Sequence, residues 1–197
     1  MNSSPPIPKK RGAPAKVDEK AWIRAAQKVL ARQGVDAVRI DSLARQLGIS
    51  RGSFYWHFAN RDALLGRILE QWRQTSTLAL IERLEARPLA PLERLRSLIA
   101  IAFDRSEKDP GQLVEFAIRQ WGRSDPRARQ ALAEVDGLRL RYFARLFAEM
   151  GFDEDAARTR ARLANSFMRV APTFPDQRGA QDIADAIAIL AEGRTAD

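Results

Sequence analysis

The 197-residue sequence contains no cysteine and a single histidine, His57. Without cysteine, neither a disulfide framework nor a thiolate metal site can form. One histidine alone also argues against a zinc site and against a Ser–His–Asp triad. We therefore expect no metal ion and no cofactor. An enzyme with a helical body is the alternative, and the acidic residues argue against it because most fall on helix faces that solvent would cover.

Long hydrophobic runs are also missing from the sequence. No apolar stretch approaches the roughly 20 residues that a membrane-spanning helix needs. The N-terminal region lacks the apolar segment of a signal peptide. We therefore expect no membrane partner and a location in a bacterial-type cytoplasm.

The positive charge is unevenly distributed. Residues 1–62 hold 12 Lys and Arg against 5 Asp and Glu, whereas residues 63–197 hold 21 against 20. A basic head on a nearly neutral body indicates that a polyanion binds to the head. A solubilising surface is the alternative, but it would not be expected to segregate charge in this way.

The first 16 residues form a separate segment. They contain four prolines and show no apolar periodicity, which predicts a disordered basic arm. Lys9, Lys10 and Arg11 give this arm its charge, and such arms lie along phosphates or enter a minor groove. A plain flexible leader is the alternative.

Apolar periodicity and turn residues predict helices along the rest of the chain, with no strand pattern and no repeat. The fold class is therefore all-α. The predicted helices are Asp18–Gln33, Asp41–Leu47, Arg51–His57, Arg61–Ala86, Pro91–Glu107, Gln112–Gly122, Asp125–Met150, Asp153–Val170 and Gly179–Glu192.

The segment GVDAVRIDSLARQLGISRGSFYWHFANRDALL, residues 34–65, predicts a helix–turn–helix. Gly48 can adopt the left-handed conformation that reverses the chain, and Ile49 would fill the core between the two helices. Ser50 is expected to cap the next helix. This motif places the N-terminal residues of its second helix in the DNA major groove.

Each side chain of that second helix suggests a role. Arg51 can donate two hydrogen bonds to a guanine, and Gly52 would let the backbone approach a base closely. Phe54 and Phe58 are expected in the core. Tyr55, Trp56 and His57 cannot all be buried on so short a helix, and those that are exposed could donate to phosphate. For His57, packing against the following helix is an equal alternative.

These residues, and the run YWHFANRDAL above all, resemble the DNA-binding domain of TetR-family transcriptional regulators over about residues 17–69. The resemblance implies a three-helix DNA-binding domain at residues 17–62 and a six-helix regulatory and dimerisation domain at residues 63–197. It also implies a homodimer that binds a near-palindromic operator. Matched residue by residue, it assigns base contacts to Arg51, Gly52 and Ser53 and phosphate contacts to Tyr55, His57 and Arg61.

One residue departs from the family pattern. Arg39 stands where the family usually has a threonine that caps the second helix. The cap is then expected from another residue, such as Asp41, or Arg39 is an additional phosphate contact.

The regulatory domain offers weaker signals. In the family, the last two helices pair with their copies, which would place Ala157, Ala161, Ala164 and Met168 with Ile183, Ile187 and Leu190 in a dimer interface; packing inside one subunit is the alternative. A cavity for a small-molecule effector is expected among the fourth to eighth helices. Its candidate residues are Trp72, Thr75, Phe103, Phe116, Arg119, Trp121 and Tyr142; aromatic residues at helical spacing more often belong to ordinary core. Glu115 and Arg119, four residues apart, are expected to pair on a helix surface.

Taken together, the sequence predicts a ligand-responsive dimeric transcriptional regulator, a repressor that its effector releases from DNA. A transcriptional activator and a sequence-indifferent nucleic-acid-binding protein are the alternatives.

Overall fold

The computed structural model describes residues 18–103, 111–171 and 179–193, and all regular structure in these ranges is helical. The predicted all-α class is confirmed. The basic arm with Lys9, Lys10 and Arg11, and the last predicted turn of the fifth helix, lie outside the described residues. The α-helices are α1 Glu19–Gln33, α2 Ile40–Leu47, α3 Arg61–Arg73, α4 Ala79–Glu85, α5 Pro91–Phe103, α6 Gly111–Trp121, α7 Pro126–Glu149, α8 Glu154–Val170 and α9 Ala180–Ala191.

Side-chain caps set the starts of several helices. Asp18, Asn60, Asp125 and Asp153 precede α1, α3, α7 and α8, and each accepts a hydrogen bond from a backbone amide in the first turn of its helix. Such a cap satisfies a donor that the helix itself cannot pair. Gly34 ends α1 at φ 81°, and Arg39 precedes α2 without any side-chain cap. Asp41 therefore does not supply the cap that the sequence led us to expect.

The predicted helix Arg51–His57 is instead a 3₁₀ helix, Arg51–Trp56, which we call the recognition helix. The turn before it is as predicted, because Gly48 is left-handed at φ 68° and Ile49 packs against the core. The Ser50 side chain, however, makes no capping hydrogen bond. The Ser53 amide that it would cap already donates to the Ser50 carbonyl at 3.1 Å, as the tighter 3₁₀ winding requires.

The predicted long helix Arg61–Ala86 is interrupted. Residues Gln74–Leu78 form one π-helical turn between α3 and α4. Such turns are rare, and they are found frequently at functional sites. The polar run Gln-Thr-Ser-Thr that forms this turn gave no sign of it in the sequence.

Two apolar cores hold the helices together. The first joins α1, α2, the recognition helix and α3 to one face of α6 and the start of α7, through residues such as Trp22, Phe54, Leu64 and Ile118. A short 3₁₀ turn, Val35–Ala37, links α1 to α2 along its edge. We expected a domain boundary between residues 62 and 63. The residues before and after this point pack into the same continuous core, and α3 contributes side chains to it.

The second core lies among α4, α5, α7, α8 and α9. It contains both stripes that were expected at a dimer interface: Ala157, Ala161, Ala164 and Met168 are buried, as are Ile187 and Leu190, while Ile183 packs against them. That assignment is wrong, because these small and apolar side chains pack within one subunit. The opposite faces of the same helices expose Leu163, Val170 and Ile189.

Among the described residues, no helix combines the length and the apolar character needed to cross a lipid bilayer.

Candidate nucleic-acid interface and ligand cavity

Two buried aromatic rings anchor the recognition helix. Phe54 is fully buried and meets the Trp22 ring edge to face, with the centroids 5.2 Å apart, and Phe58 lies 5.2 Å from Phe54. Burying a phenylalanine side chain contributes about 1.5–3 kcal/mol. The sequence prediction for Phe54 and Phe58 is confirmed, and the anchored helix must turn its remaining side chains outward.

The outward face carries large aromatic residues. Trp56 is 86% exposed and Tyr55 is 50% exposed, whereas His57 is half-buried beside Phe58. An exposed tryptophan contributes nothing to this core, yet its indole N–H is free to donate to a phosphate oxygen. The phosphate-contact roles of Tyr55, Trp56 and His57 stay predictions.

Arg51 is held in place by two neighbours on the same surface. Its Nε lies 3.4 Å from an oxygen of Asp41, and its Nη2 donates to the Tyr55 hydroxyl at 3.3 Å. The hydrogen bond with Tyr55 and the charge of Asp41 both raise the pKa of Arg51. The guanidinium is exposed, so it can exchange these partners for a base edge.

Gly52 leaves open space next to Arg51. A Cβ atom at this position would have the Ser50 Oγ at 3.8 Å as its nearest neighbour. Since the fold would tolerate a side chain there, the glycine is not needed to form the helix. That is the arrangement expected where the backbone itself approaches a partner.

Ser53 is less available than the sequence suggested. Its Oγ is buried and has no hydrogen-bond partner within the described structure. The hydroxyl must rotate outward before it can reach a base, so its base contact stays a prediction. Ser50, without a capping role, is exposed beside Gly52.

Arg39 and Arg61 differ in their surroundings. Arg39 is exposed, and its Nε is 3.4 Å from the Asp36 carbonyl oxygen, which leaves most of its guanidinium facing solvent. Arg61 is half-buried, and it donates through Nε and Nη2 to the carbonyl oxygens of Val38 and Val35. Arg61 thus ties α3 to the segment before α2, and only its remaining donors are available for a phosphate.

A cavity of about 480 Å³ lies beneath the DNA-binding domain. Its volume is within the range of small-molecule sites. Gln27 of α1, Trp72 of α3 and Thr75 of the π turn line the side nearest to that domain. The apolar part of its wall consists of Leu80, Ile81, Leu98, Ile101, Ala102, Val114, Phe143 and Met168.

Arginines of α6, α7 and α8 surround one buried carboxylate, Glu115, which also lines the cavity. Glu115 accepts hydrogen bonds from Arg139 at 3.1 Å, from Arg119 at 2.9 Å and from Arg169 at 2.9 Å. Asp136 pairs with Arg119 at 2.7 Å. The pair of Glu115 and Arg119 that was expected on a helix surface is therefore part of a network, and Glu115 is only 6% exposed.

Burial governs the electrostatics of this network. It lowers the pKa of Arg139, and together with the neighbouring charge of Arg139 it lowers the pKa of Arg169 to about 10. Burial also opposes the charge of Arg119, but its bonds to Asp136 and Glu115 outweigh burial and raise the pKa of Arg119. Because the guanidinium group of arginine keeps its charge in proteins, all three side chains are counted as positive.

Of the seven residues expected around a cavity, Trp72, Thr75 and Tyr142 line it. Phe103 instead packs against Phe167 at 5.5 Å, and Trp121 belongs to the first core, where its Nε1 donates to Asp125. Phe116 and Arg119 lie on α6 but outside the cavity lining.

Sequence reasoning missed Glu115, Arg139 and Arg169 as lining residues. They come from α6, α7 and α8, and Glu115 is 24 residues from Arg139 and 54 from Arg169. No local pattern links them. The one usable signal was an arginine inside an otherwise apolar helical face, as at Arg139 among Val135, Tyr142 and Phe143.

Comparisons with known proteins agree with this geometry. Residues 23–68 match the family model described as bacterial regulatory proteins, tetR family. The chain is 38% identical over 61 residues to the uncharacterized HTH-type transcriptional regulator TtgW of Pseudomonas putida, covering 31% of this chain and 46% of TtgW. It is 40% identical over 55 residues to the class A tetracycline repressor protein of transposon 1721 from Escherichia coli, and this match covers 28% of this chain and 26% of the repressor. Each match spans less than half of the relative's length.

Solved structures extend the similarity to the whole fold. The transcriptional regulator FadR of Bacillus subtilis, solved in complex with stearoyl-CoA, superposes with a TM-score of 0.68 over 90% of this chain and 100% of the FadR chain. The sequence identity is 18%. At that identity the similarity shows a shared fold and nothing further.

Proposed function

We propose that the chain is a ligand-responsive homodimeric transcriptional repressor of the TetR family, whose model matches residues 23–68. It binds a near-palindromic DNA operator and leaves it when a small molecule fills the cavity. The observation that carries the proposal is the recognition helix, which is anchored by buried Phe54 and presents Arg51, Gly52 and Trp56 to solvent.

In this proposal the exposed face of the recognition helix contacts DNA. Arg51 and Gly52 read bases, with Ser53 joining them once its hydroxyl rotates, and Tyr55 and Trp56 contact the phosphate backbone. Ser50, at the start of the helix, lies against the same groove. Arg39, His57, Arg61 and the arm residues Lys9, Lys10 and Arg11 add phosphate contacts at the edges.

The cavity is placed to control this interface. Gln27 belongs to α1, Trp72 to α3 and Thr75 to the π turn that follows α3, so a bound ligand touches α1 of the DNA-binding domain and α3, which shares a core with it. A ligand that favours one arrangement of these helices shifts the population away from the DNA-binding arrangement.

Dimerisation gives this shift its effect on DNA. Two recognition helices must lie about 34–36 Å apart to enter successive major grooves. We place the dimer interface on the exposed faces of α8 and α9, which carry Leu163, Val170 and Ile189. Of these, Leu163 and Val170 lie two turns apart on one side of α8, the spacing of residues that meet a partner helix.

Selection of genomic DNA fragments by the purified chain tests the proposal. We expect enrichment of one near-palindromic sequence that outcompetes bulk DNA by at least about 10³-fold. The basic head alone favours sequence-indifferent binding as a second candidate. Equal retention of all fragments, with the same salt dependence for each, would support that candidate and contradict the repressor proposal.

A reporter gene placed behind the selected sequence then gives the direction of regulation. Repression by the chain, relieved by a cavity ligand, is the expected result. Increased transcription in the presence of the chain would show an activator instead.

A further inference from the structure

Among the described residues, the charges of the buried network beside the cavity do not balance. Arg119, Arg139 and Arg169 bring three positive charges, and Glu115 and Asp136 bring two negative ones. At the rim, Arg83 adds a further, exposed cation. Because an uncompensated buried charge is costly, the network as it stands has room for one more anion.

Polar atoms without partners are concentrated in the same place. Five buried side-chain nitrogen or oxygen atoms in the described structure have no hydrogen-bond partner, and three of them belong to residues that line this cavity: Trp72 Nε1, Thr77 Oγ1 and Arg169 Nε. Buried polar groups are nearly always paired, so each exception requires an explanation. All three atoms can donate, and donors are what an anion requires.

The lining also contains apolar side chains, among them Leu80, Ile81, Leu98 and Phe143. The cavity therefore combines arginine side chains with hydrocarbon surface. A ligand that matches both has a charged group at one end and an apolar body.

We propose that the cavity binds an apolar carboxylic acid, whose carboxylate pairs with Arg169 and Arg139 and whose hydrocarbon part lies along Leu80, Ile81 and Phe143. The inference rests on the proposed ligand-responsive function and names the chemical class of the effector. A carboxylate adds one negative charge, which is the number that the described part of the network lacks. A phosphate monoester would add about 1.5–2 and overcompensate it.

The π turn connects this ligand to the rest of the fold. Arg139 donates through Nη2 to the Ser76 carbonyl oxygen at 3.0 Å, while its Nη1 holds Glu115. When the carboxylate draws Arg139 toward itself, it competes with the Ser76 carbonyl, which belongs to the π turn that follows α3. The same guanidinium thus senses the ligand and holds the irregular turn.

Calorimetric titration of the full chain tests the inference with pairs of probes. Hexanoate, decanoate and 3-phenylpropanoate are each compared with their own methyl esters and with decyl phosphate. The ester is the more apolar molecule, so a cavity that binds its ligand by apolar contacts alone would bind the ester more tightly than the acid. We expect at least one acid to bind about tenfold or more tightly than its ester, as loss of a charge-assisted hydrogen bond implies. No acid exceeding its ester, or tighter binding of decyl phosphate than of decanoate, would overturn the inference.

Variants with opposite expected effects separate recognition from damage to the fold. Arg169→Gln should bring the acid-to-ester affinity ratio close to one, whereas Glu115→Gln, which removes a competing carboxylate, should raise the ratio at least about threefold. Arg141→Gln, an exposed arginine of α7 outside the cavity, is the matched control and should leave the ratio unchanged. The ester titration in each variant reports whether the cavity is intact.

Movement of the ratio in the same direction for Arg169→Gln and Glu115→Gln would contradict the proposed pairing. None of these titrations contains DNA. Failure of the operator selection therefore overturns the repressor proposal alone, and failure of the acid-to-ester comparison overturns the ligand class alone.

Discussion

Arg61, the first residue of α3, donates from Nε to the carbonyl oxygen of Val38 at 2.7 Å. This hydrogen bond ties the start of α3 to the residues just before α2. The second donor, Nη2, reaches the Val35 carbonyl in the turn that follows α1. One side chain therefore ties the start of α3 to two points of the segment that links α1 to α2. A lysine at this position would offer a single nitrogen, which lacks the planar fork that serves two carbonyls at once.

Replacing Arg61 with lysine should lower the free energy of unfolding by roughly 1–3 kcal/mol, because two charge-assisted hydrogen bonds are lost while the charge remains. Urea unfolding followed by circular dichroism measures the change. Arg67→Lys is the matched control, because the guanidinium of Arg67 pairs with the exposed carboxylates of Glu19 and Glu70. This substitution should lower the free energy of unfolding by less than about 1 kcal/mol. If the Arg61→Lys variant is as stable as the natural chain but binds the operator more weakly, the main role of Arg61 is a contact with DNA phosphate and not the stabilisation of the fold.

Gly52→Ala tests whether the backbone of the recognition helix approaches DNA. The fold has room for the methyl group, and alanine favours helix by about 0.5–1 kcal/mol over glycine, so stability should be unchanged or slightly higher. Operator affinity should nevertheless fall at least about tenfold, measured by fluorescence anisotropy. Gly66→Ala, equally open but in the interior of α3, is the control: it should raise stability by the same helix preference and leave operator affinity unchanged. Equal operator affinity of the Gly52→Ala variant would remove Gly52 from the interface.

Arg51→Ala should relax sequence preference at one position of each half-site and weaken the selected operator by about 1–3 kcal/mol, as loss of a bidentate base contact does. Binding to a set of operators that vary one base pair at a time measures both effects. Arg96→Ala, an exposed arginine of α5, controls for the change in net charge. Weakening by the same factor on every sequence would reassign Arg51 to phosphate.

Local signals in the sequence determined most of what proved predictable. Gly48, Phe54 and Phe58 were placed correctly because a left-handed turn and an i, i+4 aromatic pair depend only on near neighbours. The 3₁₀ winding after Ser50 was missed. A serine before a helix predicts a side-chain cap, and the sequence does not show that the Ser53 amide already donates to the Ser50 carbonyl oxygen.

Long-range packing determined the rest. Ala157, Ala161 and Ala164 form a stripe that suits a partner helix equally well in the same subunit or in another, and periodicity cannot tell the two apart. Glu115, Arg139 and Arg169 meet only because α6, α7 and α8 pack around one cavity, so their role could not be predicted from spacing.

The start of α7 makes stability depend on pH. Asp125 accepts hydrogen bonds from the Arg127 side chain and amide and from Trp121 Nε1, and these bonds lower the pKa of Asp125 to about 2, with the Arg127 side chain contributing most. Since the folded state favours the ionised carboxylate, this stabilisation is complete above the ordinary pKa near 4 and is lost as the pH falls toward 2. It is worth roughly 1 kcal/mol once screening of the exposed Arg127 is allowed for.

Asp125→Asn keeps a capping oxygen and removes the charge. Its stability deficit against the natural chain should be roughly 1 kcal/mol at pH 6 and should shrink toward zero near pH 2, in urea titrations at each pH. Asp125→Ala loses the cap as well, so part of its deficit should persist at low pH. A deficit of Asp125→Asn that stays constant from pH 6 to pH 2 would show that the charge of Asp125 does not stabilise the fold.

The two faces of α8 should respond differently to a charge. Leu163 is 58% exposed and lies on the proposed dimer surface, whereas its neighbour Ala164 is fully buried in the second core. Leu163→Glu should leave the subunit folded and shift it to monomer in sedimentation velocity, with loss of affinity for the full palindrome. Ala164→Glu should instead destabilise the subunit itself by several kcal/mol, because it places an unpaired charge among apolar side chains. Leu113→Glu, an exposed leucine of α6, is the matched control and should remain dimeric. If the Leu163→Glu chain stays a dimer, the subunits associate through a surface other than this face of α8, and the spacing of the two recognition helices must then be set from there.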